Sequence, residues 1–159
     1  MDKLIELIDQ LLLRIVMGVI ISIAAVVIVS VFLRYLFGIS YVWLQELIVF
    51  LFIFSTFFGS ALAYYRNEHL AIDILYVKLP DRIKNILDIF FDILILYLNY
   101  QIIIVSFKWM DRVGNVVTPG MRIPMSYIYF ILPASAFLMI IYLLSNIYRK
   151  IKRSKFRSE

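Results

Sequence analysis

Three long uncharged runs dominate the sequence and limit the folds that are open to it. Two of them hold 19 residues each and the third holds 26: Ile15–Leu33, Leu47–Tyr65 and Ile123–Tyr148. A helix needs about 20 apolar residues to cross the hydrocarbon core of a bilayer. Each run therefore predicts a membrane-spanning helix.

A fourth span is predicted from a weaker run. Only Ile93–Phe107 is free of charge there, so the helix must extend back through Asp92 and Asp88 to cross a bilayer. In the last run we expect Pro124 near the helix start and a bend near Pro133. The sequence thus predicts one all-α membrane domain, residues 1–159. Its spans lie at about 14–37, 43–65, 83–107 and 123–148.

Composition agrees with a lipid environment. The 159 residues are 64% hydrophobic and 17% charged, whereas soluble domains are closer to half apolar and a quarter charged. There is no cysteine, and His69 is the one histidine. These counts argue against disulfides, thiolate chemistry, and haem or zinc sites, which need several ligands. We expect no catalytic, cofactor-binding or metal-binding residue in this chain.

The first 14 residues have the pattern of an amphipathic helix. Apolar side chains follow the helical period and polar ones fall on the other side. The apolar set is Leu4, Ile5, Leu7, Ile8, Leu11 and Leu12, and the polar set is Lys3, Glu6, Gln10 and Arg14. We expect a lead-in at the membrane interface that runs into the first span. Three early acids and the lack of an Ala-x-Ala site argue against a cleaved signal peptide.

Lys and Arg residues set the predicted orientation. In a four-span chain both termini and the second loop share a side, and that side carries 12 of the 16 basic residues. The positive-inside rule places it, and both termini, in the cytoplasm. Six of the 12 lie in the basic tail, residues 149–159. Directly after a span, such a tail is typical of a cytoplasmic anchor and less typical of nucleic-acid binding. Trp43 and Trp109 then fall at the outer interface.

Glu46 begins the second span. An ionisable residue in a span is a functional candidate by default, and proton or cation coupling is one hypothesis. Its position at the helix end, within reach of water and headgroups, favours a structural role as a partner of Arg34 across the short outer loop. Farther along this helix Ser55, Gly59 and Ala63, spaced by four, form a small-residue ridge that lets another helix approach.

The third span carries polar residues spaced by seven: Asn85, Asp92, Asn99 and Ser106. Asp88 lies one turn before Asp92, within reach of Lys84. A seven-residue spacing places them along one slowly drifting face. That face must turn from lipid toward a helix, water or a partner. We favour a role in packing and orientation over ion conduction, because one Asp beside amide side chains supplies too few ionisable groups for an ion relay.

Two loops are charged. The inner loop, Arg66–Arg82, holds His69 and Asp73. His69 has no visible nucleophile or metal partner, so a polar turn along the inner face is favoured over catalysis. The outer loop carries three cations and one acid. Two hypotheses remain open for this loop: it docks an acidic protein surface, or it is solvated and binds no partner. These four residues are Lys108, Asp111, Arg112 and Arg122.

The ordered set of motifs resembles a known family. The set is "RYLFG", "WLQEL", the small-residue ridge, "RNEHLAIDIL" followed by "LP", and "TPGMRIPMSYIYFILP". It is similar to the small membrane subunit, of DctQ or SiaQ type, of tripartite ATP-independent periplasmic (TRAP) transporters, from about Ile15 to Leu144. The family often has two adjacent acids after the Trp, where Gln45 precedes Glu46 here. Phe54 stands where the family often has Trp.

The resemblance implies a subunit that catalyses nothing itself. In the family it binds a large permease subunit of DctM or SiaM type, which holds the substrate and sodium sites and moves as an elevator in the bacterial cytoplasmic (inner) membrane. A periplasmic binding protein delivers carboxylates such as sialic acid or dicarboxylates. The candidate interface or structural residues are Arg34, Trp43, Glu46, Ser55, Gly59, Ala63, His69, Asp73, Asp88, Asp92 and Asn99. Docking of the binding protein would fall to Lys108, Asp111, Arg112 and Arg122.

Two rivals from other classes remain. One is a self-sufficient homodimeric transporter coupled to protons, which needs Glu46 or Asp92 to titrate. The other is a membrane cytochrome anchor, which ranks last because a single histidine cannot ligate two haems.

Overall fold

The computed structural model describes residues 2–66 and 81–156. These residues form five helices: α1 Asp2–Phe37, α2 Val42–Tyr65, α3 Asp81–Val113, α4 Ser126–Tyr129 and α5 Ile131–Phe156. Four stretches are long and apolar enough to cross a membrane: Glu6–Phe37, Val42–Tyr65, Ile89–Val113 and Ser126–Ile147. The predicted all-α, four-span membrane protein is confirmed. The cytoplasmic placement of the termini stays a prediction.

The predicted lead-in and the first span form one helix. α1 is helical throughout, from Asp2 to Phe37. It ends at Gly38, which has a φ of 66° and donates its N–H to the Arg34 carbonyl at 3.1 Å. This is an αL cap, a conformation that glycine adopts without steric penalty. Four residues then connect α1 to α2.

The third span is longer than its uncharged run. α3 begins at Asp81 and ends at Val113, so it extends beyond the predicted 83–107 at both ends. Asp88 and Asp92 therefore lie within the helix, as the length of the run required.

The fourth span begins later than predicted, and it is interrupted close to Pro133, where the sequence predicts a bend. It begins at Ser126 rather than 123, because the preceding backbone pairs with the loop: Thr118 N–H donates to Ile123 at 3.0 Å, and Met125 N–H donates to Val116 at 2.9 Å. The helix is interrupted at Phe130, between α4 and α5. Pro133 has no N–H to donate to the carbonyl four residues earlier, which accounts for a break at this point.

The helices pack in a row rather than around one centre. α1 packs on α2, and both α2 and α3 pack on α5. Two small buried clusters hold this row together: Ala61, Tyr64, Tyr142 and Leu143 in one, and Leu12, Val16 and Leu62 in the other. Leu138 of α5 packs against both clusters. Large apolar side chains cover the outside, as a lipid-facing surface requires; Ile21 of α1, for example, is 70% exposed.

Candidate functional site

Two groups of polar contacts lie near the opposite ends of α2. Glu46 and Arg66 are 20 residues apart, which is about 30 Å along a helix. The first group is called the Glu46 clamp and consists of Glu46, Thr118, Gly120 and Met121. The second is called the Asp9 cluster and consists of Asp9, Tyr64, Tyr65, Arg66, Asp92 and Tyr142.

In the Glu46 clamp a carboxylate binds a loop backbone. The N–H of Gly120 donates to Oε1 of Glu46 at 2.8 Å, and the N–H of Met121 donates to Oε2 at 2.8 Å. The Thr118 hydroxyl lies near this carboxylate and favours its ionised form. Hydrogen bonds to an ionised acceptor are stronger than neutral ones, and two parallel bonds also fix orientation. The clamp therefore ties the start of α2 to the loop between α3 and α4.

The loop is folded so that these N–H groups point at Glu46. Thr118 is 2% exposed, and its backbone and hydroxyl both bond to Ile123. Arg122 closes the turn with a φ of 54°, a conformation that is uncommon for residues other than glycine. The backbone of Gly120 lies against α2 so closely that a Cβ there would be 2.6 Å from the Trp43 nitrogen.

The predicted pair between Arg34 and Glu46 is not formed. The Arg34 guanidinium instead donates to the Ser40 hydroxyl at 3.4 Å, and Glu46 is bound to backbone amides. The reason is that the turn after Pro119 presents two N–H groups in the spacing of a carboxylate. Trp43 is 44% exposed and contributes its backbone to the contact with Gly120.

The Asp9 cluster brings together the four long helices. Asp9 of α1 forms an ion pair with Arg66, just after α2, with 2.8 Å between Oδ2 and Nη2. Tyr64 of α2 donates its hydroxyl to Asp92 of α3 at 2.6 Å. Asp9, Tyr64 and Asp92 are buried. Buried charges are tolerated where they are paired and hydrogen-bonded, and here that pairing links helices that are distant in sequence.

Tyr142 of α5 completes the cluster. It is 1% exposed, and its ring lies on Tyr65 with 4.7 Å between centroids. Its hydroxyl is close enough to Asp9 and Arg66 to interact electrostatically with both. Side chains from α1, α2, α3 and α5 thus meet at one end of the molecule.

The polar face of α3 turns inward. Asp92, Asn99 and Ser106 are all buried, so the prediction that this face avoids lipid is confirmed for these three. Asn99 donates to the Ile95 carbonyl at 2.8 Å, and Ser106 donates to the Ile102 carbonyl at 2.6 Å. The side chains of Asp88, Asn85 and Lys84 lie outside what the structure describes, as do His69 and Asp73.

The small-residue ridge of α2 meets α1 at one residue, Gly59. A Cβ on Gly59 would be 4.0 Å from the Val16 side chain, which is an ordinary contact distance. Ser55 donates its hydroxyl to the Phe52 carbonyl of its own helix, and Ala63 is half-buried. A role of this ridge in binding another subunit stays a prediction.

The outer-loop charges are separate from the Glu46 clamp. Lys108, Asp111, Arg112 and Arg122 are exposed, and the described residues offer none of them an ion-pair partner within 4 Å. Arg122 lies next to the clamp in sequence, whereas the other three lie within the last two turns of α3 and not in the loop where the sequence predicted them. They remain candidates for binding a partner.

A crevice of about 190 Å³ separates α2 from α3 over α5. Its polar lining consists of Ser60, Asn99 and Ser135. Each of these side chains donates to a carbonyl of its own helix. The crevice therefore presents a largely apolar wall.

Several contacts were not predicted from the sequence. Thr118, Gly120 and Met121 carry no pattern that assigns them to Glu46, because the contact spans 74 residues. Asp9 did have a signal: it shares the i, i+3, i+7 spacing of Leu12 and Val16, which are buried. The amphipathic pattern instead drew attention to Leu7 and Leu11, which are 66% and 59% exposed.

Comparison with known proteins assigns the chain to a transporter component. Residues 23–153 match the family model described as tripartite ATP-independent periplasmic transporters, DctQ component. A Haemophilus influenzae protein that carries the provisional name TRAP transporter small permease protein is 28% identical over 130 residues, which cover 82% of this chain and 81% of that protein. The family is one of transporter components and not of enzymes. The chain therefore belongs to the DctQ family, the small permease components of TRAP transporters.

Proposed function

We propose that this chain is a static scaffold for a large permease subunit of DctM or SiaM type. In this proposal the large subunit carries the solute and moves, while the present chain enlarges the fixed part of the complex in the bacterial inner membrane. A periplasmic binding protein delivers the solute to the outer face. Sodium, if it drives uptake, binds in the large subunit.

The observation that carries the proposal is that three carboxylates, two of them buried and one at a helix end, are bound by other groups of the same chain. Glu46 binds two backbone amides, Asp9 binds Arg66, and Asp92 accepts from Tyr64. A carrier needs ionisable groups that exchange partners with an ion or solute along a path. Here these groups join separate segments of the same chain at both ends of α2, which suits a part that keeps its shape.

The substrate class is proposed from the family alone. Organic acids, with sialic acid and dicarboxylates as examples, fit a system of this kind. The exposed cations Lys108, Arg112 and Arg122, with Asp111 among them, are our candidates for docking the binding protein, since exposed charges steer association with a complementary surface.

The competing proposal is a homodimeric carrier driven by protons. It needs Glu46 or Asp92 to gain and lose a proton during each cycle. The amides around Glu46 stabilise its ionised form, which disfavours that role.

Native mass spectrometry of the tagged chain, purified in mild detergent from its own host, separates these proposals. A stoichiometric, much larger multi-span protein bound to the chain is the result that the scaffold predicts. A homodimer without any other protein would contradict it. In that case Glu46→Gln and Asp92→Asn uptake assays across pH become the next step.

A further inference from the structure

The outward side of α3 carries a polar pair at the middle of its span. Gln101 is the central residue of the membrane-spanning stretch Ile89–Val113, and its Nε2 donates to the Tyr97 hydroxyl at 2.8 Å. Gln101 follows the buried Asn99 by two residues, which is about 200° around a helix, so it lies on the opposite side of α3. Tyr97 is 57% exposed there. This surface is called the Gln101 face and consists of Tyr97, Gln101 and Lys108.

The bond between Gln101 and Tyr97 leaves hydrogen-bonding capacity on this face. A glutamine side chain offers two N–H donors and a carbonyl acceptor, and a tyrosine hydroxyl offers one proton. The bond to Tyr97 uses one N–H group. Within the described residues, no hydrogen bond uses the other N–H, the carbonyl oxygen of Gln101 or the Tyr97 proton. A neighbour that covers this face can therefore both donate and accept at the centre of the bilayer.

Other exposed polar side chains within the spans are satisfied differently. Ser22 of α1 and Thr56 and Ser60 of α2 are exposed, but each donates its hydroxyl to a carbonyl of its own helix. A hydroxyl bonded in this way presents little polar surface to lipid. The amide of Gln101 bonds to a side chain instead and keeps its carbonyl oxygen available.

Two kinds of neighbour fit the Gln101 face poorly. Lipid tails have neither donors nor acceptors, and a polar group without a partner is costly among them. A second copy of the chain in a two-fold dimer would place this face against itself. Lys108 is exposed seven residues after Gln101 and so lies on the same face. The two copies of Lys108 would then approach each other, which like charges disfavour.

We propose that the Gln101 face binds a transmembrane helix of the large permease subunit. At the depth of Gln101 that helix carries a side chain that both donates and accepts, namely Ser, Thr, Asn or Gln. Glutamine side chains form such bonds between helices in membranes. The small-residue ridge is less suited to this contact, because Gly59 faces α1 of the same chain. The inference rests on the proposed function, since it takes the large subunit as the partner.

Photocrosslinking in the native membrane tests the contact. Benzoylphenylalanine is introduced in place of Tyr97 in the full chain and, as the matched control, in place of Ile21. Ile21 is 70% exposed and lies near the middle of the α1 span, Glu6–Phe37. We expect a crosslink from position 97 to a much larger multi-span protein, with a yield several-fold above that from position 21.

The other outcomes separate this inference from the proposed function. Equal yields at the two positions would overturn the inference, as would a crosslink from position 97 to a second copy of the chain. So would a lack of any protein crosslink at position 97 while the large subunit still co-purifies. In each of these cases the scaffold proposal stands if the large subunit co-purifies. Absence of the large subunit from the purified complex would overturn both.

The variant Gln101→Leu gives a second test. Its bond to Tyr97 lies within α3, so the melting temperature of the chain purified alone should stay the same or rise. Its affinity for the large subunit in detergent should fall by about 3–10-fold. Thr56→Val is the matched control, because the Thr56 hydroxyl is bonded to its own helix, and it should leave the affinity unchanged. An unchanged affinity for Gln101→Leu would overturn the inference.

Discussion

The Glu46 clamp and the Asp9 cluster hold the two ends of α2 by different means. In the clamp one carboxylate binds the backbone of a loop, and the fit depends on how closely Gly120 approaches α2. In the cluster the bonds run between side chains of α1, of α3 and of the end of α2. A backbone contact is sensitive to added volume, whereas a buried charge pair is sensitive to the loss of either charge. The two ends should therefore fail under different substitutions.

The largest effect should come from the charge pair. Arg66→Met leaves the buried Asp9 carboxylate without its cation and should destabilise the chain by about 3–5 kcal/mol. The reverse change, Asp9→Asn, should cost less, because the Arg66 side chain is 32% exposed and can reach water. Unfolding free energies in mixed detergent micelles measure both. Equal losses for the two variants would show that burial of Asp9 is not what makes the pair matter.

Adding a methyl group at Gly120 should disrupt the Glu46 clamp. Gly120→Ala places a Cβ 2.6 Å from the Trp43 nitrogen and 2.8 Å from its Cα, so the loop must lift and lose its bonds to Glu46. We expect a loss of about 2–3 kcal/mol. Gly18→Ala is the matched control, since nothing lies within 4 Å of its added Cβ and alanine favours a helix. A Gly120→Ala variant as stable as the Gly18→Ala variant would refute the clamp.

A smaller and more local effect is expected for Glu46→Gln. The oxygen of the glutamine side chain can accept one backbone N–H, but its NH₂ group then faces the second N–H donor. One charge-assisted hydrogen bond is lost, which should lower the free energy of unfolding by about 1–2 kcal/mol. Hydrogen exchange should accelerate at Gly120 and Met121 and stay unchanged around Asp92. Gln45→Ala, at the exposed neighbouring residue, should leave both regions unchanged. Faster exchange at both ends would mean that the two regions are not independent.

The smallest effect is predicted for the polar face of α3. The Ser106 hydroxyl donates to the Ile102 carbonyl of its own helix, so Ser106→Ala removes no contact between helices. We expect a change within about 0.5 kcal/mol, measured by unfolding in the same micelles. A loss above about 1.5 kcal/mol would mean that Ser106 bonds to a group beyond its own helix.

The difference between local features and contacts that are distant in sequence explains which parts of the structure could be predicted. Helix existence follows from local runs, and the end of α1 at Phe37 is marked by Gly38. The buried face of α3 follows from the spacing of Asp92, Asn99 and Ser106. These features depend on residues within one or two turns of each other.

The contacts of Glu46 and Asp9 depend on chain geometry far away in sequence. The sequence predicts Arg34 as the partner of Glu46 because that cation is near in sequence, whereas the partners in the structure, Gly120 and Met121, are backbone donors 74 and 75 residues away. Backbone N–H groups have no residue type that marks them. The role of Asp9 cannot be predicted from its local sequence, because its partner Arg66 is 57 residues away.

In the proposed complex this chain keeps one shape while the large permease subunit moves. The chain has no cysteine, so pairs of spin labels can be introduced at exposed sites, Phe52 with Val117 near the clamp and Leu7 with Leu144 near the cluster. Double electron–electron resonance in the reconstituted complex with the large permease, with and without sodium and an organic acid, should give the same two distances. A shift in either distance on adding the ion or the solute would contradict a static scaffold.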